Sequence, residues 1–158
     1  MIQLITDRTA ADVAAARRIV EKLRRGGALT EDERAAYFAG LRGCYNVSDM
    51  NRVGEAIAYL ASALREVGYP ISVTPRCDRQ YGDIVRTSDW QAYLDDVRTL
   101  RGVIALPPTT PQVPDTLFVS DGYRAANDIE KILADIDYYI AAMIKAYYYS
   151  GELYSGEV

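Results

Sequence analysis

The side chains that could carry out chemistry in this sequence are thiols and carboxylates, because the chain contains no histidine. Without histidine, the serine and cysteine triads that use it as a base cannot form. Asp95 and Asp96 make one carboxylate pair, and Asp135 and Asp137 make another. Residues one or two positions apart on a helix point in different directions, so both pairs are expected on solvated helix faces. We therefore predict no catalytic residue and no enzyme activity.

The two cysteines, Cys44 and Cys77, lack the spacing that is typical of metal ligands. We expect reduced thiols in a protein made in a cytoplasm, with a disulfide between them as the less favoured alternative. The polar segment 78–83 has an acid at each end, but its glycine and ligand positions do not match a calcium-binding EF-hand loop. No glycine-rich phosphate-binding loop occurs. The sequence predicts no metal site and no cofactor.

Charge is unevenly distributed along the chain. Residues 1–119 carry 15 basic and 15 acidic side chains, whereas residues 120–158 carry 3 and 7, which accounts for the net charge of −4. The one basic cluster, within residues 17–25, has acids nearby and indicates a solvated helix face rather than a nucleic-acid site. No apolar run approaches the roughly 20 residues of a membrane span, and no signal-peptide pattern opens the chain. We expect neither nucleic-acid binding nor membrane insertion.

Hydrophobic periodicity and capping signals predict four shorter helices. They cover approximately residues 10–25, 31–41, 49–67 and 89–101, and their starts are marked by Thr9, Thr30, Ser48 and Ser88. Gly54 lies inside the third helix and indicates a close helix crossing there. Residues 71–74 alternate in polarity, but a proline on each side restricts them to an edge strand at most.

A longer helix is predicted over residues 120–149. Its apolar residues recur at spacings of four and three, which is the pattern of a heptad seam. The repeat Y-S-G-E-L, Y-S-G-E-V then forms an extended tail that could lie along another surface, or a frayed terminus. We predict interaction residues along the seam and tail: Ile129, Leu133, Ile136, Ile140, Met143, Tyr147, Tyr149, Leu153 and Tyr154.

These elements predict a mainly α fold: a helical bundle of four shorter helices plus one long C-terminal helix, with little or no β structure. The predicted organisation is a helical body (1–106), a proline-rich spacer (107–119), the long helix (120–149) and the tail (150–158), together making one domain. The long helix could lie across its own domain or project to another chain, and its length is compatible with both.

Tyrosine is unusually abundant, with 13 residues against 2 phenylalanines, and six of them lie between Tyr138 and Tyr154. Tyrosine combines a large contact area with a polar tip, so it is favoured at half-hydrated interfaces. It can also replace phenylalanine at the rim of a core. Both interpretations fit the C-terminal group.

Several segments together resemble a group of small proteins from the tail-gene region of phages and prophages of Gram-positive gut bacteria. The resemblance covers nearly the whole chain and implies a virion structural component at the tail tip, baseplate or fibre attachment. The segments that carry it are I-T-D-R-T-A-A-D-V at 5–13, Y-N-V-S-D-M-N-R-V at 45–53, S-D-W-Q-A-Y-L-D-D-V at 88–97, P-P-T-T-P-Q-V-P at 107–114, A-N-D-I-E-K-I-L at 126–133 and the S-G-E tail.

We therefore expect a non-enzymatic tail-associated structural protein that forms homo-oligomers and docks onto other virion tail proteins. It would be made in the host cytoplasm and reside in the virion. The first alternative is a bacterial helical adaptor or regulatory module that binds one protein partner. A remoter alternative is a carboxylate-dependent glycan hydrolase, which would require one of the aspartates to act on cell-wall material.

Overall fold

The structure, a computed structural model, describes residues 3–116 and 122–152, with side chains as far as Tyr147. Over these ranges the chain forms helices and no strand, which confirms the prediction of a mainly α fold with a long C-terminal helix. The helices are α1 (Ala10–Arg24), α2 (Glu31–Ala39), α3 (Val47–Glu66), α4 (Thr87–Val103) and α5 (Gly122–Glu152).

The first two helices begin where the capping pattern predicts. The Asp12 carboxylate accepts the Thr9 N–H at 2.7 Å, and the Asp12 N–H donates to the Thr9 hydroxyl at 3.3 Å. Glu33 and Thr30 make the same reciprocal pair at 2.8 and 3.2 Å. Each pair satisfies two N–H groups that the first turn of a helix leaves without partners.

The next two helices begin earlier than predicted, and neither Ser48 nor Ser88 is the N-cap. The N-cap of α3 is Asn46, whose N–H donates to the Asp49 carboxylate at 2.8 Å. The N-cap of α4 is Arg86, whose N–H donates to Asp89 at 2.8 Å. The aspartate three residues into each helix marks where it starts, because its carboxylate reaches back to accept the backbone N–H of the N-cap residue.

The core lies between α3, α4 and α5, which all contact one another. Each contributes one apolar stripe, and burial of each large side chain stabilises the fold by roughly 1.5–3 kcal/mol. The most deeply buried members are Val53, Ile57, Leu60 and Leu64 of α3, Val97 and Leu100 of α4, and Ile129, Ile132, Leu133 and Ile136 of α5.

An extended segment returns the chain from the end of α3 to its beginning before α4 starts. The Arg65 guanidinium donates to the Ile71 carbonyl near the C-terminal end of α3, and Asn51 bonds the backbone of Arg79 near its N-terminal end. Residues 71–74, the predicted edge strand, belong to this segment, and the Thr74 N–H donates to the Asp96 side chain instead of to a second strand. As a result, α4 begins at the same end of the body as α3.

The proline-rich segment makes a second return, over its described part at residues 107–116. The Arg101 Nε donates to the Pro111 carbonyl at 2.8 Å, so the segment lies along α4. Thr110 is buried and its hydroxyl donates to Asp135 of α5 at 2.7 Å. Since both neighbouring helices bind it, this part of the segment packs into the body. The three core helices therefore run in the same direction, joined by extended returns.

Candidate interaction surfaces and the buried charge network

The predicted seam of α5 divides into two parts. Ile129, Leu133, Ile136 and Ile140 are buried in the core that their own chain forms. Met143 is half-buried at the edge of that core. Tyr147 is 78% exposed, so this chain alone does not bury the last position of the seam.

Three of the predicted interaction positions lie at the end of the chain. Tyr149 belongs to the backbone of α5, but its side chain lies outside the described residues, as do Leu153 and Tyr154. From Ala141 to Tyr147 every described side chain except Met143 is exposed. The helix therefore begins to leave the core near Ile140, with Met143 still packed at its edge, and its apolar pattern continues past that point.

One exposed apolar surface surrounds this exit point. We call it the C-terminal face and define it by Tyr59, Tyr69, Met143, Ile144 and Tyr147. A groove of about 710 Å³ runs between the end of α3 and the last described turns of α5. A smaller groove of about 210 Å³ lies between Tyr59 and Ile144. Tyrosine combines an apolar ring with a polar hydroxyl, so it suits a surface that is exposed to water in the free chain and buried when a partner binds.

A second exposed aromatic surface lies on α2. This helix has no buried residue, and Phe38 is 81% exposed. The rings of Tyr37 and Phe38 meet edge to face, with their centroids 5.9 Å apart, and the neighbouring Tyr37 raises the pKa of Tyr81, which is 90% exposed. We call Tyr37, Phe38 and Tyr81 the α2 face. Gly40, just after α2, lies beside Asn46, so this surface is near the start of α3.

A buried network of charges, which sequence reasoning missed, joins the N-terminal segment to α3 and α5. Glu130, 0% exposed, accepts hydrogen bonds from Arg8 at 2.7 Å and from Arg52 at 2.8 Å. Asp49 accepts from the same two guanidiniums at 2.9 and 2.5 Å. The second oxygen of Glu130 accepts the Ile5 N–H at 2.6 Å. Each carboxylate therefore binds both guanidinium groups. The role of the cluster is to hold the N-terminal segment, α3 and α5 in position.

Two asparagines complete the attachment of the extended segments. Asn127 of α5 accepts the Arg8 N–H at 3.1 Å and donates to the Arg8 carbonyl at 2.9 Å. Asn51 of α3 bonds Arg79 in the same way, at 3.0 and 2.9 Å. In each pair the asparagine side chain makes the two backbone hydrogen bonds that a neighbouring β-strand would otherwise make.

Next to the charge network, Tyr45, Trp90 and Tyr93 pack together, with ring centroids 5.8–6.4 Å apart. The hydroxyls of the two tyrosines share a hydrogen bond. Burial raises the pKa of Tyr45 and of Tyr93 well above the ordinary value for a phenol. These phenols therefore remain neutral and fix the start of α4 against the loop before α3.

The paired carboxylates lie apart from one another, as helix geometry predicts. Asp95 makes an exposed ion pair with Arg98, whereas Asp96 accepts the Thr74 N–H. Asp135 is bound by Thr110 and Lys131, and Asp137 lines the smaller groove of the C-terminal face. Burial raises the pKa of Asp96.

Both cysteines are free thiols, and burial raises the pKa of each. Among the described residues, no group of three or more Cys, Asp or Glu side chains could hold a metal ion. Within the same part of the chain, no helix combines the length and the apolar character that crossing a membrane requires. No known protein family, curated protein or solved structure matches the chain.

Proposed function

We propose that this chain is a structural protein that works by assembly, binding further copies of itself through the C-terminal face and a different protein through the α2 face. The observation that supports it is the presence of two exposed aromatic surfaces at opposite ends of the body. The C-terminal face lies at the end of α3 and the α2 face at its beginning. The 20 residues of α3 separate the two by about 30 Å.

The second copy is the favoured occupant of the C-terminal face because the seam continues into it. Ile140 is the last seam residue that the chain buries, and Met143 and Tyr147 follow in the same heptad register. Three tyrosines and one isoleucine, each 38–78% exposed, give roughly 400 Å² of apolar area. That is about half of the ~800 Å² that each partner contributes to a standard interface, as expected for an apolar centre with a polar rim.

The α2 face is assigned a different occupant because α2 itself buries no side chain against the body. Lys22 of α1 donates to Glu33 at 2.6 Å, and both side chains are partly exposed. Exposed pairs of this kind contribute little stability, and the apolar contacts that anchor α2 come from Leu29 and Leu41 on either side of it, not from the helix itself. A second protein that covers Phe38 would both bury its ring and fix α2.

The resemblance of the sequence segments assigns these assemblies to a phage tail, at its tip, baseplate or fibre attachment. In this proposal the chain has no catalytic role, is made in the host cytoplasm, and resides in the virion with neighbouring tail proteins. A bacterial adaptor that binds one partner is the alternative. It would use the α2 face alone.

Self-association is tested with two matched variants, Ile144→Asp in the C-terminal face and Phe38→Ser in the α2 face. Mass is measured by light scattering and by sedimentation across a concentration series. We expect oligomers of the unmodified chain and of Phe38→Ser, and a shift to monomer for Ile144→Asp. A strict monomer of the unmodified chain at high concentration, or dissociation only by Phe38→Ser, would contradict the assignment.

Residence in the virion is tested by mass spectrometry of purified particles from a lysogen that carries the gene. We expect the chain in the particles at a fixed ratio to other tail proteins. Its absence from particles, together with a monomer that captures one bacterial protein, would favour the adaptor instead. Phe38→Ser should lower the amount of the chain found in the particles, whereas the oligomeric mass of the purified protein, measured by light scattering, should stay the same.

A further inference from the structure

A cleft of about 440 Å³ opens at the N-terminal end of the body, away from the C-terminal face. Its walls are α1, the loop before α3 and the first turns of α5. We propose that this cleft binds an anionic ligand that carries a phosphate or carboxylate group on an apolar body. Clefts of about 300–1,000 Å³ are the usual size for small-molecule ligands.

Two arginines at the mouth of the cleft supply positive charge. Arg17 and Arg24 are both exposed, and within the described part of the chain neither has an ion-pair partner. They are seven residues apart on α1, so they lie on one side of the helix about 10 Å from each other. Glu21, the acid between them, is 3.9 Å from Arg25. The mouth therefore attracts an oxyanion, for which guanidinium is well suited.

A third arginine forms part of the inner wall. Arg8 is 4% exposed and lines the cleft. Its two terminal nitrogens bind Ile5, Asp49 and Glu130, but its Nε is buried without a hydrogen-bond partner among the described residues. A buried donor without a partner costs about 1–3 kcal/mol, so such groups require an explanation. A ligand oxygen that enters the inner wall and displaces the side chains covering Nε would supply the missing acceptor.

The remaining walls are apolar. Aliphatic side chains of α1 face the rings of Tyr45 and Tyr123, with Ala126 between the helices. Flat aromatic walls favour a flat apolar group, and burial of such a group adds binding free energy in proportion to the area covered. A bare inorganic anion would leave these walls uncovered. The ligand is therefore expected to combine an anionic group with a flat apolar group.

The test uses phenyl phosphate as the probe, with inorganic phosphate and benzoate as comparison arms, titrated by calorimetry. We expect phenyl phosphate to bind more tightly than inorganic phosphate, because only phenyl phosphate covers the aromatic walls. Whichever of phenyl phosphate and benzoate binds with the higher affinity carries the acid group that the cleft prefers. Absence of saturable binding of all three at millimolar concentration would overturn the proposal.

A matched pair of double variants separates the cleft from general surface charge. Arg17→Ala/Arg24→Ala should weaken phenyl phosphate binding by about tenfold or more, whereas Arg18→Ala/Arg34→Ala removes the same charge from exposed positions outside the cleft and should change it little. Equal weakening by both pairs would overturn the proposal. Circular dichroism establishes that both variants remain folded.

Cys44 provides an independent measurement, because it lines the cleft whereas Cys77 lies beside Gly54 on another part of the body. Bound phenyl phosphate should slow alkylation of Cys44 by a maleimide and leave the rate at Cys77 unchanged. Equal protection of both thiols, or protection of neither, would contradict binding in this cleft. Because the C-terminal face is distant, the oligomeric state can be followed separately in the same samples.

Discussion

At the scale of single residues, Glu130 has the most consequential position in the molecule. It lies one residue after Ile129 on the inner side of the α5 seam, where it joins the N-terminal segment and α3 through three separate donors. A buried charge that loses its partner is costly, because neither water nor another ion replaces the lost contact. The network therefore contributes more to keeping these elements in place than any exposed ion pair of this chain.

Glu130→Gln should lower the free energy of unfolding by about 3–5 kcal/mol, because it leaves the buried Arg8 and the partly buried Arg52 with one carboxylate, that of Asp49, to share. Urea denaturation followed by circular dichroism measures the change. Glu55→Gln, an exposed position on α3, is the control and should change stability by no more than about 0.5 kcal/mol. Similar values for the two variants would show that the network is energetically neutral.

The buried phenols give a pH dependence at alkaline pH. Burial raises the folded-state pKa of Tyr45 and Tyr93, while the unfolded value is about 10. The unfolded chain therefore loses these protons first, so stability is fully present below about pH 10 and is lost as the pH rises further. Measured up to about pH 11, the free energy of unfolding of Tyr45→Phe/Tyr93→Phe should fall less steeply than that of the unmodified chain. Tyr59→Phe, at an exposed position, should retain the steeper slope.

At the scale of elements, the extended returns define the fold as much as the helices do. Their contacts with the helices are specific hydrogen bonds. Asn51 binds the backbone of Arg79 and Thr110 donates to Asp135. The guanidinium groups of Arg101 and Arg65 donate to the carbonyls of the returning segments. Gly54 allows one of these contacts, because a Cβ atom there would lie 2.5 Å from the Arg76 carbonyl oxygen. The close approach predicted at Gly54 therefore exists, but its partner is the returning segment rather than a crossing helix.

Gly54→Ala should lower the free energy of unfolding by about 1–3 kcal/mol, because the backbone at Arg76 must move away from α3. Gly102→Ala is the matched control in α4, where a Cβ atom would meet nothing within 4 Å. The control should leave stability unchanged or raise it by at most about 1 kcal/mol. Thermal and urea unfolding of both variants measure the difference, and an equal effect at the two positions would argue against the close contact.

At the scale of the whole molecule, stability is expected to be uneven. The inner faces of α3, α4 and α5 form one core, whereas α2 has no buried residue and α5 past Ile140 is exposed. Both outlying parts carry the aromatic surfaces to which we assign partners. Regions with few buried contacts open at a low free-energy cost, which suits surfaces that become ordered on assembly.

Hydrogen exchange should reveal this gradient. Amides of α3 and of residues 129–140 should exchange slowest, and those of α2 and residues 143–152 fastest. Raising the protein concentration should slow exchange at 143–152 but not in α2, because only the C-terminal face is proposed to bind a second copy. Equal protection of all amides would contradict the proposed difference in stability between the core and the outlying parts. If higher protein concentration slowed hydrogen exchange only in α2, the α2 face rather than the C-terminal face would bind the second copy.

The positions of the helices follow from local sequence, because each helix depends on neighbours within a few residues. The 3.6-residue period located the apolar stripes, and Thr9 with Asp12 or Thr30 with Glu33 fixed two starts to the residue. Where the local signal was ambiguous, as between Ser48 and Asn46, the prediction missed by a residue or two.

Tertiary structure alone decided how these helices are arranged. Glu130 meets Ile5 and Arg8 across 125 and 122 positions of chain, and Asp135 meets Thr110 across 25. No local pattern encodes such pairings, since they arise only when three parallel helices and their extended returns pack around one core. The same packing determines that the α5 seam is buried by its own chain as far as Ile140, is half-buried at Met143 and is exposed at Tyr147.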